Sequence, residues 1–137
     1  MSIDYGWRGH FENHEVSTLH AEAFPSAPAT EHRDWQSVLA QHSLGWVLAR
    51  DVGQLVGFVN VIWDGSAHAW IQDVMVAASN RRQGIGTRLI AMASNEATRV
   101  GCEWLHVDFD DGLGPFYLAA CGFSVTSAGL LRLRHDT

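Results

Sequence analysis

Apolar and polar residues alternate with a period that changes along the chain, and each change marks a predicted element. Apolar residues recur at helical spacing over residues 12–24, and Pro25 ends the pattern. Thr30 then stands where the N-cap of a second helix is expected. From Trp46 the period becomes that of extended chain, which predicts strands over residues 46–50, 55–63 and 70–77. Short turns join these strands, so they should pair antiparallel.

The longest predicted helix follows the third of these strands and covers residues 84–100. Its apolar residues form one stripe, made by Ile85, Leu89, Ile90, Ala93, Ala97 and Val100. Gly101 stands where a C-terminal cap is expected. A strand over residues 104–109 comes next, and a strand–helix–strand crossover should make it parallel to the strand 70–77.

The C-terminal part predicts one short helix and two strands. Gly114 and Pro115 open the helix, and Gly122 ends it. The closing strands are predicted over residues 123–126 and 130–134. With a short opening strand over residues 3–7, the pattern predicts a single α/β domain over residues 1–137. Its mixed sheet should have six to seven strands, with helices on both faces.

Composition narrows the class of protein. A length of 137 residues with 47% hydrophobic residues suits one domain with a sizeable core. The formal net charge of −6 argues against nucleic acid as the main partner. Neither Cys102 nor Cys121 belongs to a CxxC pair, and no apolar run is long enough to span a membrane. We expect a cytoplasmic protein, and we expect no metal because no ligand set forms around His10 and His14.

The segment before the long helix is basic and contains glycine. It consists of Arg81, Arg82, Gln83, Gly84, Ile85 and Gly86. Free N–H groups and the positive end of the helix dipole make a helix N-terminus a binding site for anions. Thr87 and Arg88 exclude a Walker A loop, and Leu89 replaces the third glycine of a dinucleotide fingerprint. The segment predicts a pyrophosphate site, although a glycine-bearing helix start with two solvated arginines would have the same sequence.

A second motif lies beyond the strand 104–109, where Phe116 and Tyr117 are followed by Gly122 and Phe123. Together with the R-x-x-G-x-G helix start between two strands, it resembles the GNAT superfamily of N-acetyltransferases. The resemblance covers residues 47–123, and two linked motifs are more specific than either alone. It implies a mostly antiparallel sheet in which two central strands splay apart at a bulge.

The resemblance implies acetyl-coenzyme A (acetyl-CoA) as co-substrate. The backbone N–H groups that would hold its pyrophosphate are those of Gln83, Gly84, Ile85, Gly86 and Thr87, with Arg81 and Arg82 beside them. The exposed edge of the strand 70–77 would pair with the pantetheine arm at Val74, Met75 and Val76. Asp110 stands where the family commonly has an asparagine that contacts the cofactor. An acid there suits a polyphosphate poorly unless it faces away or caps the short helix.

The same resemblance implies roles in proton transfer. Tyr117 matches the tyrosine that protonates the departing thiolate in many members, a role that suits a phenol. Packing beside Phe116 would explain this residue as well. The candidates for the base that deprotonates the amine are Asp73, His106 and Asp108, on the two strands that should flank the cleft. A structural hydrogen bond or a cap is the alternative role for each of them.

These observations predict an N-acetyltransferase that moves an acetyl group from acetyl-CoA directly to a primary amine in a ternary complex. A non-catalytic acyl-CoA-binding sensor or regulatory module would keep the same loop and is the alternative. The acceptor would be a small-molecule or peptide amine, and the acidic helices before residue 43 favour a cationic one. We expect neither nucleic acid nor membrane as a partner. The last predicted strand, over residues 130–134, is one that two copies could share in a homodimer.

Overall fold

The computed structural model describes residues 2–134, which form a mixed sheet with helices on both faces. Its strands are β1 (Ile3–Trp7), β2 (Ser43–Asp51), β3 (Gln54–Trp63), β4 (His68–Val76) and β5 (Trp104–Val107). Its α-helices are α1 (Asn13–Ala23), α2 (Trp35–His42) and α3 (Ile85–Arg99). Short helical turns cover Ala78–Asn80, Asp111–Leu113 and Pro115–Ala120, and the last of these is a π-helical turn.

The strands follow one another across the sheet in chain order, from β1 to β5. β1 to β4 pair antiparallel, whereas β5 runs parallel to β4 after the crossover through α3, as the sequence predicts. The turn between β2 and β3 has left-handed backbone at Val52 and Gly53, which matches the twist of a hairpin.

The sheet has five strands within residues 2–134, rather than the six to seven expected. Residues 123–126 and 130–134 form no strand. Their alternating pattern is typical of a strand, but a strand also needs a neighbour, and in the described chain no strand lies beside them. Side chains that the pattern assigned to a sheet face are therefore exposed, Leu131 and Leu133 among them.

Each face of the sheet carries its own core. On one face α3 buries its apolar stripe, and Ile85, Leu89 and Ala93 are at most 1% exposed. On the other face α1 and α2 bury a second cluster that includes Trp35 and Phe58. The two rings meet at 6.1 Å between centroids in an edge-to-face arrangement. These contacts fix α3 on one side of the sheet and the α1–α2 pair on the other.

The second helix begins later than expected because a different residue caps it. Thr30 is buried, and its hydroxyl donates to Ser17 Oγ at 3.4 Å instead of capping a helix. The N-cap of α2 is Asp34, whose carboxylate accepts a hydrogen bond from the backbone N–H of Ser37 at 3.2 Å. Strand β2 then starts directly after α2, earlier than the sequence pattern predicts.

β4 separates from β5 partway along its length. The last residues that pair are Ile71 and Val107, and within the described chain no strand lies on that side of β4 beyond this point. A bulge coincides with the separation, because the register of β4 against β3 shifts between Gln72 and Met75. Asp73, inside the bulge, has a φ of 56°. The separation opens a cleft between the two strands.

Candidate active site

The cleft between the separated ends of β4 and β5 has a volume of about 560 Å³. Asp73 and Val74 line it from β4. Asp108 and Asp110 line it from the chain that follows β5, and Tyr117 lines it from the π-helical turn. The cavity therefore brings together the predicted acid, two of the predicted bases and two of the residues predicted to contact the cofactor, Val74 and Asp110, whereas residues 81–87 lie outside its lining.

The carboxylate of Asp73 is poorly solvated. Burial raises the pKa of this carboxyl above its ordinary value, and the interactions with nearby His20 and Arg33 oppose that rise only in part. Within residues 2–134 no hydrogen bond to its side chain stabilises the charged form. A carboxylate in this state accepts a proton more readily than one in water.

Tyr117 is held by a set of aromatic rings. Its side chain is only 5% exposed. Its ring stacks on Phe109 at 4.9 Å and meets the edge of Phe116 at 4.8 Å, measured between centroids. Burial raises the pKa of Tyr117, and Cys121 adds to the rise, so the phenol stays protonated at neutral pH. The structure thus holds a protonated phenol at the wall of the cleft.

The turn before α3 leaves several backbone donors free. Arg81, Arg82 and the two residues that follow are exposed, and the backbone is left-handed at Arg82 (φ 64°) and Gly84 (φ 79°). The backbone N–H of Arg88 makes the first hydrogen bond of α3, to the carbonyl of Gly84 at 3.1 Å. The N–H groups of residues 85–87 therefore have no helical acceptor. These donors, with two arginines beside them, fit a pyrophosphate.

The two glycines of this turn are required for different reasons. Gly84 has a positive φ, and a Cβ there would project into open space. At Gly86 a Cβ would lie 3.1 Å from Cζ of Phe116, so a hydrogen at this position lets α3 approach the π-helical turn. The sequence alone indicated only that glycine lets a phosphate approach the backbone of this turn closely. The contact with Phe116 also links the turn to the ring cluster around Tyr117.

The free side of β4 begins after Ile71 and includes Val74, Met75 and Val76. Val74 lines the cleft. The side chain of Met75 points into the core on the α1–α2 face and is 1% exposed, so only its backbone can take part in binding. An unpaired strand edge of this kind binds an extended ligand through main-chain hydrogen bonds.

His106 lies outside the lining of the cleft. Its Nε2 is 2.7 Å from Nδ1 of His68, and its ring stacks on Trp70 at 4.9 Å between centroids. Asp110 does line the cleft, and it precedes the turn Asp111–Leu113 without capping it through its side chain. Among the predicted bases, Asp73 and Asp108 are therefore nearer to the cavity than His106 is.

The sequence pointed to Glu22 only as one of the acidic residues on the helices before residue 43, and it gave Phe24 no role at the site, although both lie next to it. The carboxylate of Glu22, on α1, accepts a hydrogen bond from the backbone N–H of Ala78. Ala78 begins the short helical turn that leads to the turn before α3. Phe24 follows α1 and lines the cleft. Both contacts join parts of the chain that are far apart in sequence, so no local pattern predicts them.

Within residues 2–134 no group of three or more His, Cys, Asp or Glu side chains is placed to hold a metal ion. In the same range no helix has both the length and the apolar character needed to cross a bilayer.

The sequence profile of the acetyltransferase (GNAT) family matches residues 10–123, a range that contains Asp73, Tyr117 and the turn before α3. No curated protein matches the sequence significantly.

Solved structures share the fold at low sequence identity. A GNAT family acetyltransferase from Streptococcus pneumoniae TIGR4 has a TM-score of 0.78 and 21% identity, over 98% of this chain and 100% of that chain. The aminoglycoside N-acetyltransferase AAC(6')-Iy, in complex with CoA, has a TM-score of 0.77 and 19% identity, over 98% and 96%. Glucosamine-6-phosphate N-acetyltransferase from Arabidopsis thaliana has a TM-score of 0.76 and 13% identity, over 96% and 98%.

Proposed function

The chain belongs to the acetyltransferase (GNAT) family, and on that basis we propose that it transfers an acetyl group from acetyl-CoA directly to an amine. One observation carries the proposal. A poorly solvated carboxylate, Asp73, and a protonated phenol, Tyr117, line the same cleft. A base and an acid on one cavity suit a reaction in which one proton leaves the nucleophile and another reaches the leaving group.

We assign the free backbone donors before α3 to the pyrophosphate of acetyl-CoA. The left-handed turn at Arg82 and Gly84 and the unpaired N–H groups of residues 85–87 support this assignment. The side chains of Arg81 and Arg82 are exposed beside the turn and would add positive charge. The free edge of β4 at Val74–Val76 would take the pantetheine arm as an additional strand. Acetyl-CoA supplies the activated acetyl group as a thioester.

Asp73 would accept a proton from the ammonium form of the bound acceptor. The neutral amine would then attack the thioester carbonyl, forming the C–N bond as the C–S bond breaks. The nitrogen of the new amide would release its second proton to solvent, and Asp73 would return the proton that it accepted to solvent before the next turnover. Tyr117 would donate its proton to the departing sulfur, and solvent would reprotonate the phenolate. Holding amine and thioester together in one cleft supplies much of the rate enhancement.

The charge of the cleft favours a cationic acceptor. Asp73, Asp108 and Asp110 all line it, and the chain carries a formal net charge of −6. An ammonium group is attracted to such a surface before it loses its proton. We therefore expect the substrates to be cationic amines, either small molecules or peptides.

An amine panel tests this proposal. Purified protein would be incubated with acetyl-CoA and polyamines, amino sugars, amino acids and lysine peptides, and free thiol release would be followed. At least one class should give saturable turnover well above hydrolysis without acceptor. Calorimetric binding of acetyl-CoA with no turnover on any class would instead favour the sensor. Absence of both binding and turnover would contradict the assignment of the cleft.

A further inference from the structure

Trp70 lies at the surface beside the cleft, on the sheet face opposite α3. Its neighbours on β4, Ala69 and Ile71, are buried in the core that α3 covers, so the alternation of the strand turns Trp70 to the α1–α2 side. The next residue of β4 on that side is Gln72, which lines the cleft. The side chain of Trp70 is 36% exposed. A large aromatic ring is therefore accessible one position along β4 from the cleft.

Two histidines stack on the ring of Trp70 from the same side. The centroid of Trp70 is 4.9 Å from that of His106 and 6.0 Å from that of His68, with interplanar angles of 17° and 27°. The two histidine centroids are only 5.0 Å apart, and Nδ1 of His68 is 2.7 Å from Nε2 of His106, a hydrogen-bond distance. Rings on opposite faces of an indole would be separated by nearly the sum of their distances from it. Both histidines therefore cover one face of Trp70.

The other face of Trp70 is turned toward the cleft. His68 precedes Trp70 on β4 and Gln72 follows it, so the face away from His68 looks along the strand toward Gln72 and the cleft. Within residues 2–134 no further aromatic ring and no guanidinium group contacts Trp70. Stacking and the hydrogen bond between the histidines hold the ring in place. One face of the indole is thus held open to a ligand in the cleft.

The charges around this face favour a cation. The face of an indole attracts an ammonium or guanidinium group that lies within about 6 Å of the ring centroid. Asp73, Asp108 and Asp110 line the adjoining cleft, and among its described lining residues there is no basic side chain. His20 and Arg33 interact with Asp73 but lie outside this lining. The acidic cleft and the indole face therefore attract the same kind of group.

The distance between Trp70 and Asp73 sets the length of a ligand that contacts both. Three residues of extended strand cover about 10 Å, and the bulge at Asp73 shortens this to roughly 7–10 Å. A cation on the cleft side of the ring lies somewhat closer to Asp73 than the ring itself does. A linear diamine with about four to six methylene groups between its nitrogens spans such a gap when it is extended.

We propose that the acceptor is a linear diamine or polyamine and that Trp70 binds the nitrogen that is not acetylated. The reacting amine lies beside Asp73, and the second ammonium group lies on the open face of Trp70. His68 and His106 hold the ring in the orientation that this contact needs. The inference rests on the proposed acetyl transfer for the assignment of the cleft, whereas the binding of a diamine requires no turnover.

Calorimetry tests the second cation without turnover. Diaminopentane and pentylamine would each be titrated into the protein loaded with CoA, which has no acetyl group to transfer. The native protein should bind diaminopentane at least about 10-fold more tightly, since only the diamine places a cation on Trp70. Trp70→Leu keeps an apolar side chain but removes the ring, and it should lower this preference at least about 5-fold. Trp70→Phe should retain part of the preference because it keeps a ring face.

Trp104→Ala is the matched control. Trp104 is 58% exposed on β5, opposite His68 in the strand register, and within the described chain it makes no ring contact with Trp70. The variant should keep the native preference for diaminopentane. Equal native affinities for the two ligands would overturn the inference, as would a preference that survives in folded Trp70→Leu. Tighter native binding of phenylpropylamine than of diaminopentane would also overturn it, because Trp70 would then bind a planar group rather than a cation.

Turnover separates a failure of this inference from a failure of the proposed function. With free thiol release as the readout, Trp70→Leu should raise the KM for diaminopentane at least about 5-fold and leave the KM for pentylamine within about 2-fold. Equal native kcat/KM for the two amines would overturn the diamine class and leave acetyl transfer intact. No turnover with any amine, together with the calorimetric preference for diaminopentane, would contradict acetyl transfer and support the cation site at Trp70.

Discussion

Asp73 has a left-handed backbone, with a φ of 56°, at the point where β4 leaves β5. Few residues other than glycine, asparagine and aspartate adopt this conformation readily. Burial also raises the pKa of its carboxyl. The left-handed backbone and the burial of the carboxyl both destabilise the folded chain. Together they give the cleft a carboxylate that accepts a proton readily. This combination is expected of a residue retained for chemistry rather than for stability.

Asp73→Asn tests this role, since asparagine tolerates the same backbone conformation. The change should lower kcat by about 10²–10³-fold, because the amide accepts no proton. Stability at neutral pH should rise. Because the pKa of Asp73 is raised in the folded chain, the native protein loses stability as pH rises through that pKa and the carboxyl becomes charged. Asparagine carries no charge and removes this loss. Steady-state kinetics and thermal unfolding at pH 7 measure the two effects.

The pH profile identifies the base. The kcat/KM of the native protein should fall as pH drops through the raised pKa of Asp73, above the value of about 3.9 for an ordinary aspartate. Asp73→Asn should lack this acid limb. His106→Gln is the comparison, since His106 contacts His68 and Trp70 outside the cleft, and it should keep the limb. The reverse pattern would assign the base to His106.

Glu15 and Arg50 form a half-buried ion pair at 2.7 Å that joins α1 to β2. The hydrogen bond from Arg50 lowers the pKa of Glu15 from 4.5 to about 2. Glu15→Gln should reduce the free energy of unfolding at pH 7 by roughly 1–2 kcal/mol, because solvent screens part of the interaction at this half-buried site. This contribution is present above the unfolded pKa and is lost as pH falls toward about 2, so native and variant should converge there.

Urea unfolding at several pH values measures the effect of Glu15→Gln. Glu96→Gln is the control, because its partner Arg99 has a side chain that is 65% exposed. Glu96→Gln should change the free energy of unfolding by no more than about 0.5 kcal/mol. Equal losses in the two variants would show that the Glu15–Arg50 pair contributes no more than a surface pair.

At the scale of elements, the sequence predicted the parts whose structure is set locally. The apolar stripe of α3 and the glycine turn before it follow from residues within one helix and one loop. The β2–β3 hairpin follows from Val52 and Gly53 at its turn. The crossover rule then gave the parallel pairing of β5 with β4. These predictions needed no knowledge of distant contacts.

Other elements depend on contacts that no local pattern contains. Thr30 was a plausible cap, but Ser17 on α1 binds its hydroxyl, and Asp34 caps α2 instead. The bulge at Asp73 depends on the register between β3 and β4. The two closing strands were predicted from alternation alone, and alternation does not supply a neighbouring strand.

Gly84 allows a test at the scale of one turn, because Gly53 provides a matched control. Both have a φ near 80° (79° and 82° in turn), and a Cβ at either would have no atom within 4 Å. Alanine at each position should lower stability by about 1 kcal/mol. Only Gly84→Ala should weaken acetyl-CoA binding, by at least about 10-fold, since its Cβ would occupy the space next to the proposed pyrophosphate. Isothermal calorimetry measures the affinity for acetyl-CoA. Equal affinities in the two variants would contradict the assignment of the turn before α3 to the pyrophosphate.

In the whole molecule, the site depends on contacts between segments that are far apart in sequence. Phe116 packs against Gly86, which connects the π-helical turn to the start of α3. Glu22 binds the backbone of Ala78, which connects α1 to the same loop. β4 lies between them and supplies both the free edge and Asp73. None of these contacts involves the hydroxyl of Tyr117, so its removal should impair proton transfer without impairing cofactor binding at the turn before α3.

Tyr117→Phe tests whether the phenol of Tyr117 protonates the leaving sulfur, and a second tyrosine provides the control. The sequence contains two tyrosines, and the other, Tyr5, lies on β1 at the opposite end of the sheet. Free thiol release with a responsive amine would be measured for both variants, with acetyl-CoA affinity measured by calorimetry. Tyr117→Phe should lower kcat by about 10²–10⁴-fold and keep the affinity for acetyl-CoA within about 3-fold. Tyr5→Phe should keep the activity of the native protein and serves as the reference. Equal turnover in Tyr117→Phe and Tyr5→Phe would contradict the proposed acid and, with it, the chemistry of the cleft.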